Sequence, residues 1–137
     1  MDLSRLLPLL QEGPAFAELT RALSPAARET TPSIALSLLR AARPPILAIL
    51  ARKAERPIVV LTARAERALL LRDEIAAWDP GVRTLIFSEP TPIFYEQAPW
   101  GPRTIRDRIT ALSALADTDR RDRQPLVVIA SAHALIT

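Results

Sequence analysis

Apolar residues fall at Leu3, Leu6, Leu7 and Leu10, and again at Phe16, Leu19 and Leu23. Spacings of three and four put each set on one helical face, and Gly13-Pro14 breaks the run, so two short helices are predicted. Pro25 and Pro32 then bracket a polar connector, after which the short apolar run Ile34-Ala35-Leu36-Ser37 predicts a first strand. Pro44-Pro45 can open a helix, because N–H groups in a first turn have no intrahelical partner to lose. Ile46, Leu47, Ile49 and Leu50 give that helix its apolar faces, and it should stop near Glu55.

The continuous run Ile58-Val59-Val60-Leu61-Thr62 predicts a strand covered on both faces, as in a parallel sheet. From Arg64 to Trp78, the residues Ala68, Leu71, Ile75 and Trp78 share one helical stripe, and Pro80-Gly81 ends it. A strand from Val82 to Phe87 follows. Ser88 to Trp100 holds Pro90, Pro92 and Pro99 with the pair Phe94-Tyr95, the pattern of a long ordered loop. Gly101-Pro102 restarts a helix with Ile105, Ile109, Leu112 and Ala116 expected inward, Leu126 to Ala130 gives another strand, and a last helix starts near Ala132. This alternation predicts an α/β fold: a mainly parallel sheet of about four strands with helices on both faces. Residues 1–24 are expected as a helical segment and 25–137 as the α/β body, together one globular unit, since 137 residues suit a single core. Leu135-Ile136-Thr137 ends inside an apolar helical pattern, so a longer parent protein is expected.

Composition narrows the chemistry. An apolar fraction of 49% with 24% charge belongs to a folded chain. With no cysteine and His133 as the one histidine, a disulfide framework, a thiolate metal centre and a histidine metal site are all excluded. No apolar run approaches the roughly 20 residues that span a bilayer, and Asp2, Arg5 and Pro8 interrupt any signal-peptide pattern, so a cytoplasmic protein with no membrane partner is expected. The net charge is +3, but the densest basic stretch, Asp119 to Arg123, is of mixed sign and reads as a solvated loop. DNA contact is expected to be weak and non-specific at most.

In a parallel sheet, a phosphate cradle would lie in the turn after the first strand, built from glycine N–H groups and a lysine. Here the turn runs Leu38, Leu39, Arg40, Ala41, Ala42, Arg43, Pro44, Pro45, with neither residue type. Its side chains would crowd a phosphate and its prolines lack donors, although Arg40 and Arg43 keep an electrostatic pull. Leu69 to Glu74 superficially resembles an apolar strand ending in the magnesium-holding Asp-Glu of motor ATPases, but the stripe Leu71, Ile75, Trp78 favours a helix with Asp73 and Glu74 on its wet side. Ser131 beside His133 reads as a helix cap next to an incidental histidine, because a triad needs a third orienting group. No catalytic, cofactor-binding or metal-binding residue is assigned. Candidate interaction residues are Phe94, Tyr95, Glu96, Trp100 and Arg103 around the proline-rich loop, with packing onto the sheet edge as the simpler role of the aromatics.

Taken in order, several segments resemble the amino-terminal, UvrB-related region of bacterial transcription-repair coupling factors (Mfd). They are Leu6-Leu7-Pro8-Leu9-Leu10, Ile34-Ala35-Leu36-Ser37 before the glycine-free turn, and Arg56-Pro57 running into Ile58 to Thr62. Further on come Phe94-Tyr95-Glu96, Arg108-Ile109 with Leu112 and Leu115, and Leu126 to Ala130 followed by Ala134-Leu135. The chain departs from the family pattern at Ile93-Phe94 and at Gly101-Pro102, where Leu-Pro and Ser-Pro are usual. The resemblance implies a degenerate P-loop NTPase topology of the UvrB and helicase type, in a module with no cofactor of its own. It also implies a parent whose motor domains use ATP and magnesium to translocate on DNA, and which meets UvrA and RNA polymerase. The module's expected roles are to scaffold UvrA recruitment, through a small domain inserted after the strand at Leu126 to Ala130, and to hold the motor autoinhibited. The alternatives are a self-contained nucleotide-binding enzyme such as a small ATPase, or a helicase-type DNA-binding module with Arg40, Arg43, Arg64 and Arg103 at the carboxyl ends of the strands.

Overall fold

The computed structural model describes residues 3–23, 35–54, 56–90, 100–117 and 124–136. A 3-10 turn at Ser4–Leu6 leads into α1 (Leu7–Gln11), and α2 (Pro14–Ala22) starts after Gly13, which is extended and serves as the N-cap. Pro14 in the first turn forfeits no helical hydrogen bond. Leu7, Phe16 and Leu19 bury themselves against Ile49 of α3 (Arg43–Lys53), with Trp78 beside them. The Leu3 N–H donates to the Ala77 carbonyl at 3.0 Å, which ties the start of the described chain to the end of α4 (Ala65–Trp78).

β1 (Ile58–Thr62), β2 (Arg83–Phe87) and β3 (Leu126–Ser131) form a parallel sheet in the order β1-β3-β2. Val60 pairs with Ile129 and Leu85 with Val128. β3 is buried at every position, as expected for a continuous apolar run between two neighbours and two helical layers. On one face Val127 and Ile129 pack with Ala48 and Ala51 of α3 and with Ala68, Leu71 and Ile75 of α4. On the other, Leu126 and Val128 meet Ala111 and Ala114 of α5 (Pro102–Ala116). The short α6 (Ala132–Ile136) follows β3 directly.

Three expectations are corrected. The described residues contain three strands: Ala35, Leu36 and Ser37 are exposed and pair with nothing in the sheet, while Ile34 lies outside the described residues. With Leu36 half exposed, this run gains too little burial to hold a ladder. β1 is not covered on both faces, because it is an edge and α5 lies over β2 and β3; Val59 and Leu61 are left 52% and 59% exposed. Finally, α5 turns its small residues inward. Ile105, Ile109, Leu112 and Ala116 are exposed, and Asp107, Ala111 and Ala114 form the stripe facing the sheet. Polar anchors set that rotation: Ser88 Oγ donates to Asp107 Oδ2 at 2.8 Å, and the Arg108 guanidinium lies 4.2 Å over the ring of Phe87.

A half-buried ion pair closes the turn between α4 and β2. Asp79, 2% exposed, accepts hydrogen bonds from Arg52 Nε and, at 2.7 Å, Arg52 Nη2, and from the Gly81 N–H at 2.9 Å. The hydrogen bonds to Asp79, helped by its charge and opposed by partial desolvation, raise the Arg52 pKa above the ordinary guanidinium value, so the guanidinium stays charged. A Cβ at position 81 would sit 2.7 Å from Arg52 Nη2, so a larger residue there would push the guanidinium away from Asp79.

Candidate functional site

A cleft of about 830 Å³ lies where α3 and α4 both begin, beside the carboxyl half of β1. Its walls come from three stretches of chain. A 3-10 turn, Arg40–Ala42, runs straight into α3 and brings Arg40, Arg43 and Leu47 to one side. Val60 to Arg64 form the strand side, and Glu66, Arg67, Leu70 and Leu71 of α4 form the floor.

Thr62 shapes the exit from β1. Its Oγ1 lies 2.9 Å from the Arg64 carbonyl and 3.3 Å from that of Ala130, which fixes the strand-to-helix turn against the neighbouring strand. Arg64 is the extended N-cap of α4 and offers no side-chain cap, so the first-turn N–H groups of that helix add partial positive charge to the cleft. Arg67 is committed to Glu74, at 3.0 and 2.9 Å. Arg40, Arg43 and Arg64 have no carboxylate partner among the described residues, and Glu66 is the single acid lining the cleft. The arrangement is an apolar trough with a cationic mouth.

The second half of the expected cradle, Ala42 to Pro45, has no free backbone donor. The Ala42 N–H donates to the Leu39 carbonyl at 3.0 Å, the Arg43 N–H donates to the Arg40 carbonyl, and Pro44 and Pro45 have no N–H. Four consecutive residues at a helix start therefore offer no backbone donor to an anion, the reverse of a phosphate cradle.

Asp73 and Glu74 lie within α4, as the periodicity predicts; Asp73 pairs with Arg72 at 2.8 Å and Glu74 with Arg67. Ser131 is a helix cap: its Oγ accepts the Ala134 N–H at 3.1 Å. The structure adds a third group that sequence spacing could not show, because Glu89 is distant in the chain. Ser131 Oγ donates to Glu89 Oε2 at 2.5 Å, and His133 Nδ1 stands 3.8 Å from the same oxygen. The order is wrong for nucleophilic catalysis, since the carboxylate, not the imidazole, holds the hydroxyl proton.

Among the loop residues, Trp100 stacks on Arg108 at 4.2 Å, so one guanidinium is sandwiched between Trp100 and Phe87. Arg103 is exposed in the first turn of α5. Phe94, Tyr95 and Glu96 lie outside the described residues. Because α5 packs beside β2, Arg103 belongs to the opposite edge of the sheet from the cleft; of the four arginines expected at strand ends, three gather and one does not. Sequence reasoning missed Arg67, Glu66 and Thr62 as members of the site, and the one available signal was the strand-to-helix junction at Thr62 to Glu66.

No cluster of three or more metal-ligating side chains occurs among the described residues, and no helix among them is long and apolar enough to cross a membrane. No family model, curated protein or solved structure matches the chain.

Proposed function

We propose that the chain is a non-catalytic, UvrB-like module of a transcription-repair coupling factor, a scaffold for UvrA recruitment and for autoinhibition of an ATP-driven DNA translocase. What supports the reading is the turn at Ala42 to Pro45, where the start of α3 has every backbone donor spent or missing, so an anion finds no cradle there. A module that only presents surfaces to the rest of a larger machine has no use for those donors. The segments that resemble, in order, the UvrB-related region point to a coupling factor as that machine. A self-contained ATPase fits the turn poorly, and a DNA-binding module would need the cationic residues on one face, whereas Arg103 lies apart from Arg40, Arg43 and Arg64.

Titration calorimetry with Mg-ATP is expected to give no saturable heat with the 137-residue chain. A dissociation constant below about 1 mM, equivalent to roughly −4 kcal/mol, would overturn the non-catalytic reading. Capture on immobilised UvrA tests the identity of the machine. The 137-residue chain should pass through unbound, and the product of the full reading frame should be retained. Retention of the short chain would move the UvrA contact onto this domain, and failure of both would remove the coupling-factor assignment.

A further inference from the structure

β1 pairs only with β3, and its outer edge is unpaired among the described residues. Exposed strand edges are normally blunted by proline, by charge, by a bulge or by a covering element. From Ile58 to Thr62 there is no proline, no glycine and no charge. On the α5 side of the sheet, Val59 and Leu61 stand more than half exposed. On the other side, the cleft runs along Val60 to Thr62, walled by Leu47 and Leu70 and rimmed at the carboxyl end of the strand by Arg40, Arg43 and Arg64. A strand added to this edge would extend the ladder, drop alternate side chains into the trough, cover Val59 and Leu61 with the others, and bring one of its ends among three guanidiniums.

We infer that the open edge of β1 docks an extended polypeptide segment that is apolar on both faces, runs parallel to β1, and ends in carboxylates seated among Arg40, Arg43 and Arg64. Polarity follows from the charges and the sheet together. Both existing ladders are parallel, and wholly parallel sheets are favoured over mixed ones. In a parallel addition, the carboxyl end of the incoming strand arrives where α4 begins, so its acids meet the uncapped N-terminus of that helix as well as arginines. A nucleic acid would satisfy the arginines but leave the β1 backbone unpaired and Val59 and Leu61 bare. The inference goes beyond the coupling-factor reading and does not depend on it.

The probe is a short labelled peptide of valines and isoleucines ending in paired aspartates, with a lysine tag at its start for solubility, titrated against the 137-residue chain by fluorescence anisotropy. Binding should slow amide exchange from Val59 to Thr62 and should weaken about tenfold or more with Arg43→Glu and with Leu61→Lys. Both positions are exposed, and a glutamate suits the first turn of α3, so each variant should keep its fold by circular dichroism. A peptide with the aspartates placed first, or with asparagines in their place, should bind at least about tenfold more weakly than the original. Equal or tighter binding of the acids-first peptide would overturn the parallel polarity, and equal binding of the asparagine peptide would overturn the role of the arginines. Unchanged exchange along β1, self-association through β1 in place of peptide binding, or binding of single-stranded DNA that Leu61→Lys leaves intact while the peptide fails to bind, would each overturn the site.

Discussion

Arg52→Ala is expected to lower folding stability by about 2 to 3 kcal/mol in urea unfolding, somewhat less than breaking a fully buried pair because solvent reaches one partner. The two sides of the pair are unequal: Arg52 is 54% exposed and Asp79 only 2%. Removing the arginine strips a buried carboxylate of two charge-assisted hydrogen bonds, whereas removing the charge of the acid leaves a guanidinium that already touches water. Asp79→Asn keeps an acceptor for the Gly81 N–H and should therefore cost about 1 kcal/mol. If the asparagine variant proves the less stable of the two, burial of the carboxylate is not what sets the cost.

The largest single loss is expected at the centre of the sheet. Ile129 is wholly buried in β3, contacts the layer of α3 and α4, and has a strand on either side, so Ile129→Ala should cost about 3 to 5 kcal/mol through lost burial and the cavity left behind. Ile109→Ala is the matched control. It removes the same atoms from a residue that is 58% exposed on α5, and should stay within about 0.5 kcal/mol of the parent. Equal losses at the two positions would mean that α5 presents its large residues to the sheet after all. Denaturant midpoints for the two variants, at unchanged slope, decide the matter.

That control marks the boundary of what periodicity can deliver. Where punctuation was strong, the elements came out of the residues almost complete: Gly13-Pro14, Pro44-Pro45, Pro80-Gly81 and Gly101-Pro102 each stand at a helix start or at the turn after a helix end, and the stripe Ala68, Leu71, Ile75 is the buried face of α4. α5 carries two candidate faces, one of large apolar residues and one of alanines beside Asp107 and Arg108. Hydrophobicity favours the first, but contacts to Ser88 and Phe87, remote in sequence, impose the second. The exposure of β1 was hidden for a related reason, since an apolar run reads the same at an edge and at a centre. Sheet order decides which it is, and no local pattern encodes that order. Arg40, Arg43 and Arg64 were recognisable as candidates for strand ends, but their convergence on one cleft depends on how the turn before α3 meets the exit from β1.

The middle position of β3 also bears on how the chain reaches its fold during synthesis. β1 and β2 are made first, yet they do not pair with each other; among the described residues each is paired only with the strand made last of the three. Until Leu126 to Ser131 leaves the ribosome, the earlier segments can gather helices around them but cannot form a single ladder bond of the sheet. Closure then has to bridge nearly seventy residues in one direction, Val60 to Ile129, and over forty in the other, Leu85 to Val128. Separations of that kind make for slow folding that arrives late and all at once, with two apolar strands waiting in the open as targets for chaperones or for neighbouring nascent chains.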